Sequence, residues 1–178
     1  QESNGSMLSM PDRKQRHVFE EGHRRKFLVI VDETSEVEAA LFFAANRVSR
    51  TGGTLMLLYV IEPQDFQHWI GIRQVQLEEE TNKAKALFRL FRRKLNQGGL
   101  DAIPVEETIR EGKKADEVLK LIDEDEDVAI LILGAASDAK GPGPLVSSLA
   151  SGSYAGTFPI PITIVPGSLS AEEIKGLA

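Results

Sequence analysis

The chain has 178 residues, 42% hydrophobic and 27% charged, which suits one globular domain with a substantial core. A formal net charge of −6 works against a general nucleic-acid binder, whose affinity rests on excess Lys and Arg. The absence of cysteine excludes disulfides and thiolate chemistry, and no apolar run approaches a membrane span. No signal-peptide h-region stands at the N-terminus, so a cytoplasmic protein is the expectation.

Residues 1–25 read as a disordered basic arm, with QESNGS before Met7 as a cloning remnant. Arg13, Lys14, Arg16, Arg24, Arg25 and Lys26 make it basic, and a solvated tail guarding the first strand is expected. The first strand is Phe27 to Val31, a continuous apolar run ending at Asp32. A helix follows, with Ser35 or Thr34 as its cap and Glu36 and Glu38 in its first turn. Val37, Ala40, Leu41, Ala44, Ala45 and Val48 recur at helical spacing until Gly52 and Gly53. Thr54 to Ile61 reads as a second buried strand, which makes a βαβ unit with parallel pairing.

After an irregular segment holding His68 and Trp69, in which Trp69 is expected to anchor a loop on the core, a long helix is predicted from Ile72 to Gln97. Its apolar positions are Val75, Leu77, Ala84, Leu87, Phe88, Phe91 and Leu95, and Arg89, Arg92, Arg93 and Lys94 form an exposed basic end. Residues 103–109 (IPVEETI) suit an edge strand because of Pro104. A third helix spans Lys113 to Ile122, and DEDED at 123–127 reads as a solvated turn. It lacks the glycine and the spaced glutamate of a Ca²⁺ loop.

Val128 to Leu133 is again continuous and β-branched, stops at Gly134, and leads through a Gly/Ser/Pro-rich loop into a helix predicted over 145–155. A strand, a small-residue loop and a helix start can cradle an anion through unpaired N–H groups. Ile160 to Val165 forms a fifth strand, marked as an edge by Pro159 and Pro161, and Ser170 to Glu173 forms a capping box. Alternating strands and helices predict a three-layer α/β sandwich.

Several chemistries lack their residues. The turn after the first strand, DETSEVE, is acidic and free of glycine, against a flavin phosphate loop. A phosphoacceptor Asp after the third strand and a Lys after the fifth are missing, against a receiver domain. No Walker loop or G-x-G-x-x-G is present, and no histidine lies near a strand C-terminus to build a triad or a zinc site. Neither catalytic residues nor metal ligands are therefore assigned.

From about Lys26 to Gly167 the chain resembles the universal stress protein family, through FLVIVDETSEVEAAL, TLMLLYVIEP, IREGKKADEVLKLI, VAILILG and PIPITIVPG. The resemblance implies a Rossmann-like, adenine nucleotide alpha hydrolase-like fold with a five-stranded parallel sheet of order 3-2-1-4-5. It divides the chain into an arm (1–25), the stress-protein domain (26–167) and a short C-terminal helix or tail (168–178). Members that bind ATP carry G-x-x-G, nine residues, then G-S or G-T after the fourth strand, and this pattern falls on Gly134, Ser137, Ser147 and Ser148. Two of its three glycines are thus serines here, each adding a Cβ where the family's backbone approaches phosphate.

Lys140 can neutralise a phosphate, Gly141 and Gly143 lend the loop flexibility, and the resemblance puts Asp32 and Val60 on the adenosine side. The plain alternatives are a helix-capping acid for Asp32 and core packing for Val60. The implied function is a regulatory module binding ATP, with Mg²⁺, or another adenine nucleotide, and forming a homodimer through the fifth-strand edge. The alternatives are a stress-response dimer that binds no nucleotide and a weak ATP hydrolase, for which Asp138 is the only acid in the loop.

Overall fold

The uninterrupted apolar runs become the centre of one parallel sheet. The computed structural model describes residues 13–63, 70–138, 140–150 and 156–178. The elements run β1 (Lys26–Ile30), α1 (Val37–Thr51), β2 (Thr54–Ile61), α2 (Ile70–Gln97), β3 (Val105–Glu111), α3 (Lys114–Glu124), β4 (Val128–Ala135), α4 (Pro144–Ala150), β5 (Ile162–Pro166) and α5 (Ala171–Leu177). The strand order is β3-β2-β1-β4-β5, every pair parallel, as the family resemblance implied.

Alternate side chains of the central strands serve opposite cores. Phe27, Val29, Leu55 and Leu57 pack with α1, with Ala84, Phe88, Phe91 and Leu95 of α2, and with Ile174 of α5. Leu28, Ile30, Met56, Leu58 and Val60 pack on the other face with Val118, Leu121 and Ile122 of α3 and Val146 and Leu149 of α4. Each fully buried Leu or Ile contributes roughly 1.5–3 kcal/mol, largely offset by chain entropy.

The prolines decide where the edge strands begin. β3 starts at Val105 and β5 at Ile162, each two residues later than the sequence suggested. Pro104 and Pro161 have no N–H for a ladder, yet their carbonyls accept from Leu55 N–H at 2.9 Å and Leu131 N–H at 3.0 Å. The cap of α1 also differs from expectation. Glu36 occupies the N-cap without a side-chain cap bond, and the Thr34 N–H and hydroxyl, two residues earlier, both donate to Asp32 Oδ1. On α2, Val75 is exposed rather than core-facing. The remaining predicted α2 positions are buried or packed against the core. His68 and Trp69, and the end of the fourth helix at 151–155, lie outside the described residues.

The acidic run at 123–127 is a counter-charge rather than only a solvated turn. Arg16 donates to Ile122 O at 2.8 Å and Asp125 O at 3.1 Å, and Lys14 donates to Asp123 O at 3.0 Å. These bonds satisfy carbonyls that the end of α3 leaves unpaired, where cations also suit the helix dipole. Lys26 Nζ lies 2.7 Å from Asp125 and 3.0 Å from Glu106, and His23 Nδ1 lies 2.7 Å from Asp127 and 3.8 Å from Glu126. At the other terminus, Ser170 and Glu173 form the predicted capping box, and Arg50 of α1 donates to Lys175 O at 2.6 Å.

The hydrogen bond to Asp127 raises the His23 pKa above its ordinary value. The stabilisation is full below the unfolded-state pKa of about 6.5 and fades as pH rises through the higher folded-state pKa. His23→Gln is therefore expected to lower the melting temperature more at about pH 5.5 than at about pH 8.5. Equal losses in thermal melts at the two pH values would show that imidazolium charge plays no part.

Candidate functional site

Because all strands are parallel, the residues that follow them converge on one edge of the sheet. Asp32 follows β1, Glu62 follows β2, Lys113 and Lys114 follow β3, and Gly134 lies near the end of β4. Between β1 and β4 the chain's connections diverge to opposite sides, the place where open α/β sheets form a crevice. A cleft of about 500 Å³ opens there, with Ile30, Val37, Leu133 and Val146 among its apolar walls. Asp32, Glu36, Glu62, Lys113, Lys114 and Ser148 supply its polar groups.

Asp32 is held by its neighbours. One carboxylate oxygen takes both Thr34 donors, and the other lies 3.8 Å from Lys114 Nζ. The next residue, Glu33, pairs with Lys83 at 2.9 Å. Deeper on the same side, Tyr59 O–H donates to Glu80 at 2.8 Å. Burial first, and then Glu80, push the Tyr59 pKa up, so the phenol stays protonated.

Gly134 has a geometric reason to be glycine. A Cβ there would lie 2.0 Å from the carbonyl oxygen of Glu36, deep inside van der Waals contact. A Cβ on Gly167 would lie 2.8 Å from Glu36 Cβ. The β1–α1 turn therefore lies directly across the end of β4 and the exit of β5. The loop beyond Gly134 folds on itself. Ala136 N–H donates to Pro142 O at 3.0 Å, Lys140 N–H to Asp138 Oδ1 at 2.9 Å, and Gly141 N–H to Asp138 O at 3.4 Å. Gly141 and Gly143 both take φ of +101°, a conformation open to glycine. Ser147 N–H donates to Gly143 O at 3.1 Å, and Ser148 hydroxyl donates to Leu145 O at 3.2 Å.

Of the residues singled out from sequence, Asp32, Gly134, Gly143 and Ser148 line the cleft together. Val60 is buried in the core face that also carries Ile30. Ser137 and Lys140 are exposed beside the cleft, and Gly141 in the loop and Ser147 in α4 do not line the cavity. Sequence reasoning did not assign Glu36, Glu62, Lys113 or Lys114 to a site. Their signal was positional: Glu62, Lys113 and Lys114 stand just beyond strand ends and Glu36 at the N-cap of α1, and in a parallel sheet the strand ends and the helix starts that follow them share one edge. Among the described residues, no group of three or more His, Asp or Glu could hold a metal ion.

A model described as the universal stress protein family matches residues 23–166. The fold is similar to that of the universal stress protein UspA from Lactobacillus plantarum, with TM-score 0.62 and 18% identity over 80% of this chain and 97% of that one. It is also similar to a universal stress protein in complex with cAMP, with TM-score 0.54 and 20% identity over 82% and 99% of the two chains. A universal stress protein family member from Arabidopsis thaliana with AMP bound aligns with TM-score 0.53 and 15% identity over 80% and 91%. No curated protein matches the sequence.

Gly134→Ala should destabilise the fold by about 3 kcal/mol, since backbone, not a flexible side chain, must move aside. Gly71→Ala on α2, where a Cβ meets nothing within 4 Å, should be neutral or slightly stabilising. Urea unfolding of both variants checks the contrast. A Gly134→Ala midpoint equal to wild type would disprove the close approach.

Proposed function

Because the chain belongs to the universal stress protein family, we propose that it is a non-catalytic regulatory module that binds an adenine nucleotide in the cleft between β1 and β4. The observation that carries this reading is a fixed carboxylate, Asp32, beside a glycine-backed crevice at the sheet's switch point. Asp32 would accept hydrogen bonds on the adenosine side, over the core face that contains Val60. The 134–148 segment, from the end of β4 into α4, would meet the phosphates, with Gly134, Ser137, Gly141, Gly143, Ser147 and Ser148 in its backbone and Lys140 as a mobile cation. The bound AMP and cAMP of the two similar proteins support an adenine ligand. ATP with Mg²⁺ is the other member of this ligand class.

The domain in this reading spans residues 26–167, flanked by the arm at 1–25 and the tail at 168–178. Among the described residues, no helix is long and apolar enough to cross a membrane, and we propose a cytoplasmic setting. Hydrolysis of ATP would need a base at the phosphates, and Asp138, the acid in the loop, already accepts from Lys140 N–H. A ligand-binding role therefore accounts for the site better than catalysis.

A second reading concerns assembly. β5 is an edge strand, and Ile164 on it is 43% exposed. Natural proteins cover or pair such edges, so we propose a homodimer through β5.

Titration with AMP, cAMP and Mg-ATP should raise the melting temperature through selective binding to the native state. Asp32→Ala should remove most of that shift, while absence of any shift at about millimolar ligand would end the nucleotide reading. Sedimentation should give about twice the 19.6 kDa chain mass, and Ile164→Glu should return it to the monomer. A wild-type monomer at micromolar concentration would refute the β5 dimer.

A further inference from the structure

We infer that Glu36 makes this cleft select adenine ligands with few phosphate charges, nucleosides or monophosphates, over triphosphates. The inference rests on the adenine-site reading above and names which members of that ligand class the site takes.

The position of Glu36 is imposed by backbone packing. Its carbonyl lies against Gly134 and its Cβ against Gly167, at separations that leave no room even for a methyl group. The residue cannot withdraw without lifting the whole β1–α1 turn. Its carboxylate lines the cleft, and Oε1 would stand 3.8 Å from a Cβ on Gly143. A negative charge is thus held beside the very loop that would receive the phosphates. Among the described residues, no hydrogen bond or ion pair neutralises it.

The remaining charges of the cleft do not compensate. Three carboxylates, of Asp32, Glu36 and Glu62, line it against two ammonium groups, of Lys113 and Lys114. Lys114 is drawn to Asp32 at 3.8 Å, whereas Lys113 makes no ion pair among the described residues. One uncommitted cation within the cleft suits about one phosphate, and Lys140 stands exposed on the loop outside the cleft's lining. Of the backbone donors there, the N–H groups of Ala136, Lys140, Gly141 and Ser147 already donate to acceptors between Asp138 and Gly143. Each further phosphate must approach Glu36 with no second uncommitted cation in the cleft's lining to offset the repulsion, and like charges a few ångströms apart in a partly dry cleft repel strongly.

The test is titration calorimetry with adenosine, AMP and ATP in Mg²⁺-free, low-salt buffer, on wild type and Glu36→Gln. Glutamine keeps the Cβ packing against Gly167 and removes only the charge. Wild type should bind AMP about tenfold or more tighter than ATP, and Glu36→Gln should tighten ATP about tenfold while leaving adenosine within about twofold. Raising salt should narrow the wild-type preference, a readout that needs no variant. Wild type binding ATP as tightly as AMP, or an AMP-to-ATP ratio unchanged in Glu36→Gln, would overturn the role of Glu36 while leaving the adenine site standing. If none of the three ligands binds either protein at about millimolar concentration, the adenine reading itself falls, and this inference with it.

Discussion

The arrangement depends on one close contact: the carbonyl of Glu36 lies where a side chain on Gly134 would otherwise be. Through it the turn after β1 is laid over the end of β4, which sets where α1 begins and what shape the cleft takes. Asp32 contributes from within the same turn by binding Thr34, so the chain reaches Glu36 already bent. Gly167 closes the opposite side, so the segments leaving β1, β4 and β5 lock against one another. Close packing makes such a junction stiff, and its stiffness is what can hold a charge at a fixed place.

Charge balance organises the opposite edge of the sheet. α3 ends in acids, the wrong sign for a helix C-terminus, and the basic segment before β1 offsets this by bonding the helix's last carbonyls. Lys26 extends the compensation by bridging Asp125 and Glu106. The basic end of α2 is also committed to partners: Arg92 pairs with Glu107 at 2.5 Å and Lys94 with Glu38 at 2.7 Å. A chain of net charge −6 thus spends many of its cations in internal pairs, leaving few to face the cleft.

Much of the architecture was legible because the signals are local. The runs FLVIV, TLMLLYVI and VAILILG can only be strands buried on both faces, and the apolar spacing of α1 named its inward residues correctly. The errors arose where local rules compete. Ser35 or Thr34 looked like the helix cap, but α1 starts at Val37 with Glu36 as its N-cap, and Thr34 instead donates to Asp32. Pro104 and Pro161 looked like strand residues, but they only accept at the ladder's start. In the site, Asp32 and Gly134 were legible as the residues ending two buried strands. Glu36 was read as an ordinary helix-end charge and Lys113 only as the start of a helix, because nothing in their immediate neighbours shows that a distant strand brings them into one cleft.

The sequence by itself determined the alternation of strands and helices and their parallel pairing, since apolar periodicity and glycine placement are properties of consecutive residues, and its quoted segments carried the family resemblance. Only the tertiary structure decided which charges share a space. That depends on the convergence of strand ends at a single edge and on a contact between residues 98 positions apart in the chain, 36 and 134, where a Cβ on Gly134 would stand 2.0 Å from the Glu36 carbonyl oxygen. Coulomb repulsion acts through space rather than along the chain, so the character of the cleft emerges only once the sheet is assembled.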